Sequence, residues 1–360
     1  MLPPLSPEDE NPAHFFRGQS GYSPTPLVEL PRFAERLGVE RLYCKDESQR
    51  PLGSFKYLGG TYAGLKALVR YTRCVRIADL LNQSATRRSL PALLCASDGN
   101  HGLAVAWAAK LAGTRARVYL HAHVPESRTR RIEQMGAEIV RVPGTYDDSV
   151  DQAYEASQRG EGLLIADTSA RVDDVVVNDV MDGYGFAGSE IVEQLSEHGW
   201  PAPTHLFLQA GVGGWAAAIA RSLQDDARFG CQTIVVEPDS VACVGAAFRS
   251  GAIERLSGDL LTSAEMLSCG EASAPALHIL RNCGAVALAV CESQVLGAPE
   301  ILQACGGPVT TPSGATGLAG TLALAANPTL SPLTPLGPNS RVLITVTEGP
   351  IMHDRKLSDS

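Results

Sequence analysis

The sequence lacks any apolar run approaching the roughly 18 residues that a membrane-spanning helix requires. Its opening, MLPPLSPEDENPAHFF, has neither a basic segment nor the apolar stretch of a secretory signal. A cytoplasmic protein with no membrane partner is expected. Basic charge is also scarce: 30 Lys and Arg stand against 39 Asp and Glu, a formal net charge of −9, which argues against nucleic acid as a partner. Close cysteine pairs are missing. The nine cysteines (44, 74, 95, 231, 243, 269, 283, 291 and 305) stand singly without a C-x-x-C, so they read as buried thiols rather than a disulfide framework or zinc site. His121 and His123 read as one face of a strand end, and no metal is expected. Charged residues make up 19%, below the roughly 25% typical of soluble domains, so much of the chain must be buried. Gly 35 and Pro 23 are scattered without a period, which excludes collagen-like sequence and implies many tight loops.

What is present is an alternation. Apolar, β-branched runs recur at 41–47, 91–96, 116–122, 138–142, 162–166, 204–209, 232–237, 285–291 and 342–347. Most lack the polar alternation of a half-exposed strand and read as buried on both faces. Between them lie stretches with helical spacing, including 102–112 (GLAVAWAAKLA), 127–135 (SRTRRIEQM) and 214–224 (GWAAAIARSLQ). This order predicts an α/β fold of parallel strands, and 360 residues suggest two domains. Strand runs crowd between 91 and 166 and resume after 204, which predicts one sheet inserted into another. The expected division is a large domain of residues 1–61 and 166–360 around a small inserted domain of 62–165. Residues 69–90 read as a helix end and surface connection, and 326–340 as a Pro-rich loop.

Two glycine-bearing turns follow predicted strands and open predicted helices. They are Ser97-Asp98-Gly99-Asn100-His101-Gly102 and Gly211-Val212-Gly213-Gly214. Each presents backbone N–H groups at a helix N-terminus, where partners are missing and the helix dipole favours an anion. Each is also consistent with a plain tight connection. In Gly53-Ser54-Phe55-Lys56 a lysine falls just inside a predicted helix, for which Ser54 is the candidate N-cap.

Together these residues resemble the fold type II pyridoxal-phosphate enzymes, the tryptophan-synthase-β type, and all three motifs stand in that family's order. The resemblance implies two parallel-sheet α/β domains with pyridoxal 5'-phosphate in the cleft between them. It makes Lys56 the Schiff-base lysine, sets Asn100 beside the cofactor's 3-oxygen, and makes Gly211, Val212, Gly213 and Gly214 the phosphate cup. In Thr347-Glu348-Gly349, Thr347 matches the position facing the pyridine nitrogen, where a neutral hydroxyl would leave that nitrogen unprotonated.

Within the fold type the chain is similar to the diaminopropionate ammonia-lyase family. The similarity runs from Gly21-Tyr22-Ser23-Pro24-Thr25-Pro26-Leu27 and Lys45-Asp46-Glu47-Ser48 through Asp98 to Gly102, where the carboxylate of Asp98 is the most discriminating match, Tyr146-Asp147-Asp148, Asp167-Thr168 and Gln209-Ala210-Gly211-Val212-Gly213. It continues through Val236-Glu237-Pro238-Asp239, Ser268-Cys269-Gly270-Glu271 and Arg281-Asn282-Cys283 to Ser313-Gly314-Ala315. It implies that Asp98 and Lys56 are catalytic and that Asp98, Asp167 and Ser313 bind substrate. The chain departs from the pattern at Ser169 to Asp174, at Pro312 and at Pro350-Ile351-Met352.

The implied reaction is α,β-elimination of ammonia from D- or L-2,3-diaminopropionate, giving aminoacrylate and then pyruvate, in a homodimer. Lys56 and Asp98 would serve opposite faces of the α-carbon. To act near neutral pH the lysine would need a lowered pKa and the aspartate a raised one. Asp98 also reads as an N-cap. Alternatives are a serine, threonine or hydroxyaspartate dehydratase, a β-replacement enzyme, and a catalytically idle binding subunit. His101 reads as support for the turn rather than a catalytic imidazole, and Trp107 and Trp215 as core. Tyr57 reads equally as pocket wall or surface phenol.

Overall fold

The computed structural model describes residues 11–83, 90–97, 99–122, 124–226, 229–330 and 333–350. Among these residues ten strands form two sheets. The larger takes β1 (Leu27–Glu29), β2 (Arg41–Asp46), β7 (His205–Gln209), β8 (Gln232–Pro238), β9 (Val286–Val290) and β10 (Arg341–Val346), in the order β1-β2-β10-β7-β8-β9. The smaller takes β3 (Leu93–Ala96), β4 (Ala116–His121), β5 (Glu138–Val142) and β6 (Leu163–Leu164), in the order β5-β4-β3-β6. Every pairing is parallel except β1 with β2.

Parallel strands joined by helices are covered on both faces, and the core shows this directly. Along β7, Leu206 and Leu208 enter one apolar cluster while Phe207 enters the other, as strand alternation requires. The first cluster also holds Leu93 and Val118 of the smaller sheet, so one continuous core joins the two sheets. The second, with Leu42, Ile234 and Ala319, lies on the far face of the larger sheet.

The helix Lys56–Thr72 packs between two others, Asn100–Ala112 and Val175–Glu197. The domain boundary expected at 61/62 falls inside it. It packs closely on the helix Val175–Glu197 because Gly59 has no side chain. A Cβ there would sit 2.3 Å from Tyr184 Cε1.

Three expectations are corrected. The antiparallel edge strand β1 was not foreseen, since three residues are too few to show periodicity. Ser54 does not cap the Lys56 helix: the capping position is Phe55, no side chain caps it, and Ser54 forms an isolated antiparallel bridge with Glu348 instead. In the 69–90 region the helix runs on to Thr72, Arg73 turns it off in the left-handed region (φ 55°), and a further helix spans Ile77–Gln83. Residues 84–89 lie outside the described residues.

The turn before Lys56 is anchored by a buried ion cluster. Lys45 Nζ donates to Glu190 Oε2 at 2.7 Å, to Thr25 O at 2.8 Å and to Gln194 Oε1 at 2.8 Å. Arg50 Nε donates to Glu47 Oε2 at 2.7 Å, and its other nitrogens reach Glu190. Both side chains of the Lys45–Glu190 pair are fully buried. A pair so placed is tolerable only because every lone pair and proton around it is engaged.

Candidate active site

Strands β3, β7 and β10 end toward one cleft, where open parallel sheets commonly place ligands. The cleft spans about 810 Å³, part of it open to solvent. Its lining includes Lys56, Asn100, Asp167, Gly211, Val212, Gly213, Gly214, Ser313 and Thr347. Each is a residue singled out from sequence. The remaining one, Asp98, lies outside the described residues.

Lys56 opens its helix, and its Nζ donates to Asp167 Oδ2 at 2.6 Å. Burial works against both charges, but their mutual attraction outweighs it. Lys56 is held well above the usual lysine range and Asp167 well below the usual carboxylate range. This is opposite to the shift a lysine base requires. Nζ also lies 5.3 Å from the Phe55 ring centroid and 5.7 Å from that of Tyr184, which gives the ammonium two aromatic faces.

The turn after β3 carries Asn100 as the first residue of the helix Asn100–Ala112. The cap is Gly99, not Asp98, and Ser97 Oγ accepts the N–H groups of Gly99 (2.9 Å) and Gly102 (2.8 Å). Ser97 therefore supplies the first-turn bonding for which Asp98 was a candidate. Asn100 Nδ2 donates to Glu348 Oε2. Glu348 is buried, which raises its pKa, while Thr311 Oγ1 donates to its other oxygen at 2.6 Å. Pro312, a departure from the family pattern, occupies the first turn of the helix Pro312–Ala326, where no N–H is needed.

His101 Nε2 lies 2.7 Å from Ile165 O, and a carbonyl only accepts, so that nitrogen carries the proton. Burial lowers the His101 pKa, leaving a neutral ring that braces the turn. Trp215 is buried, as expected, yet also lines the cleft. Tyr57 packs on Phe16, with centroids 5.6 Å apart, and is not among the cleft residues. Missed from sequence were Glu348, Gln209, Tyr184 and Cys269 as cleft residues. The first two and Cys269 stood inside matched motifs, the one signal that marked them.

The glycine turn after β7 fits a phosphate. Gly213 caps the helix Gly214–Gln224 with φ at 97°, and no side chain takes the first-turn N–H groups. A Cβ on Gly213 would lie 3.3 Å from Val244 Cγ2, a tight contact, at a φ that L side chains rarely adopt, so glycine is the residue that holds this turn. An amine at the floor and an anion cradle at one end match the aldehyde and phosphate of pyridoxal 5'-phosphate. Lys56 would hold the aldehyde carbon, Gly211 to Gly214 the phosphate, Asn100 the 3-oxygen and Thr347 the ring nitrogen.

The family of pyridoxal-phosphate dependent enzymes matches residues 19–348, and the chain belongs to it as an α/β enzyme of fold type II that uses pyridoxal 5'-phosphate. It is similar to the diaminopropionate ammonia-lyase of Escherichia coli (strain K12): 34% identical over 272 residues, 75% of this chain and 68% of that one. Among solved structures, the holo form of diaminopropionate ammonia lyase from Escherichia coli superposes with a TM-score of 0.83 at 30% identity, covering 96% of this chain and 91% of that one. The complex of that enzyme with D-serine gives a TM-score of 0.82 at 31% identity, covering 97% and 90%.

Proposed function

We propose that this protein is a carbon–nitrogen lyase that eliminates ammonia from 2,3-diaminopropionate. The α-proton and the β-amino group leave, and water converts the resulting aminoacrylate to pyruvate and a second ammonia. The cofactor, when bound, withdraws the electron pair left at the α-carbon. The chain's own groups supply the rest. The observation that carries the reading is the Lys56–Asp167 pair, 2.6 Å long inside the cleft. Asp167 keeps Lys56 protonated, so Lys56 is unfit as a base until that carboxylate is taken by another cation. The second ammonium of a diamino acid is such a cation. A hydroxyl is not, so serine and threonine leave the lysine charged.

Lys56 then takes the α-proton on one face, and Asp98, a proposal from sequence, serves the other. Ser313 and Asp167 bind substrate. Residues 1–61 with 166–360 make the large domain and 62–165 the small one, in a cytoplasmic homodimer. Among the described residues no helix is long and apolar enough to cross a membrane.

The test is a steady-state assay with both enantiomers of diaminopropionate, both serines and threonine, reading pyruvate or ketobutyrate. Diaminopropionate should have the highest kcat/KM. A hydroxy-amino acid turned over faster would transfer the site to the dehydratases. Asp98→Asn should cost one enantiomer a factor of at least about 100, the lower end for a lost general base, and spare the other. Equal losses would make Asp98 a binding group for the second amine.

A further inference from the structure

Behind Thr347 stand three polar side chains whose hydrogen bonds run in one direction. Trp215 Nε1, which can only donate, lies 3.1 Å from Thr345 Oγ1. That oxygen therefore accepts, and its own proton goes to Gln209 Oε1 at 3.2 Å. The orientation of the Gln209 amide is fixed a second time at its other end. Nε2 faces Gly314 O at 2.8 Å and Thr345 O at 3.0 Å, and a flipped amide would set its oxygen against two carbonyls. Nε2 also lies 3.0 Å from Thr347 Oγ1. An amide nitrogen does not accept and its two protons are divided among these three oxygens, so in the bond that joins them Thr347 is the acceptor. The Thr347 proton has no acceptor among the described residues, and Thr347 lines the cleft. Trp215, Thr345, Gln209 and Thr347 are all buried, so bulk water does not compete for these bonds.

We propose that Gln209, oriented by Trp215, Thr345 and two carbonyls, is a positioning residue that makes Thr347 a one-way donor into the cleft. The pyridine nitrogen of the cofactor is thereby held in its unprotonated form. The proposal rests on the reading that Thr347 faces that nitrogen. Without Nε2, the amide donor that fixes the Thr347 hydroxyl is gone, and the hydroxyl is free to turn away from the cleft.

The experiment reconstitutes the holoenzyme with pyridoxal phosphate labelled with 15N in the ring and reads the nitrogen resonance. In the wild type the signal should sit at the position of a hydrogen-bonded, unprotonated pyridine, and Thr345→Ser, which keeps the relay, should leave it there. Gln209→Leu, or Gln209→Met should the first not fold, should move it. Thr347→Val should move it likewise. Each should raise the cofactor Kd about tenfold, the worth of one hydrogen bond of about 1.4 kcal/mol, and the double variant by no more than either alone. A signal that moves in Thr347→Val but stays in both Gln209 variants overturns the relay. A signal unmoved in Thr347→Val, or a borohydride label absent from Lys56, overturns the placing of the cofactor and the proposal with it.

Discussion

Two lysines eleven positions apart are both buried beside a carboxylate, and they are built for opposite ends. Lys45 spends its three protons on three acceptors within 2.8 Å and shares Glu190 with Arg50. Burial lowers its pKa, outweighing the pull of Glu190 and Glu47, and repulsion from the Arg50 guanidinium adds to the effect. Lys56 has Asp167 to itself as an ion-pair partner, keeps a fifth of its side chain exposed in the cleft, and is held above the usual range. A lysine with every proton engaged is a strut. One held by a single, replaceable anion is available for chemistry.

The sharpest test exchanges the two losses. Lys56→Ala should reduce turnover by at least about 1,000-fold, within the range for a lost acid–base group, and abolish the borohydride label while the protein stays folded. Residual label on another lysine would end the distinction. Lys45→Met should instead destabilise by about 3–5 kcal/mol in urea unfolding, the cost of stranding a buried partner, while the folded fraction still labels at Lys56. A loss of label without a loss of stability would make Lys45 part of the site. Next in size is Gly213→Val. It places a β-branched residue in the left-handed region at a strain of about 1–2 kcal/mol and presses on Val244, which should shift the turn that carries the cradle, so cofactor Kd should rise at least tenfold. An unchanged Kd would leave the phosphate elsewhere.

The smallest effect concerns a carboxylate held mainly by backbone N–H groups, on which the pull of the Arg249 guanidinium is the lesser influence. Glu190 has Lys45 and Arg50, and although burial opposes its charge its pKa falls. Glu237 is held by the N–H groups of Val244 and Gly245, each at 2.8 Å, and burial pushes it up from 4.5 to about 8. The folded state then binds more protons than the unfolded state between those values, so stability should be full below about pH 4.5 and decline as pH rises to about 8. Urea midpoints across that window should fall in the wild type and flatten in Glu237→Gln. A parallel slope in both would assign the decline to another group.

How much of this was readable in advance follows from distance along the chain. Lys56, Asn100 and Gly211 to Gly214 were legible because each lies in a short segment where strand, turn and helix follow one another. Glu348 was not, because its bond to Asn100 spans 248 positions. Gln209 and Thr347, 138 positions apart, were each inside a matched motif, yet nothing local tells that the amide faces the hydroxyl. Thr25 and Lys45 to Glu47 were matched as well, and their meaning waited on Glu190, in the middle of a helix. The parallel sheets themselves were visible in the apolar runs. The β1 edge was too short to register, and the role of Asp98 still rests on sequence alone.

The pairing of β10 with β2 sets residue 341 opposite residue 41 and residue 346 opposite residue 46. The last strand is therefore an interior member of the larger sheet, between β2 and β7. On a ribosome, the smaller sheet, confined to residues 93–164, has all its strands well before β10 emerges. The larger sheet stays open along its middle until then. The turn preceding Lys56 is bonded through Ser54 and Phe55 to Thr347 and Glu348. A nascent chain thus carries its reactive lysine without the wall that completes the site until β10 has been made. A chain stopped before β10 should therefore fail to take up the cofactor.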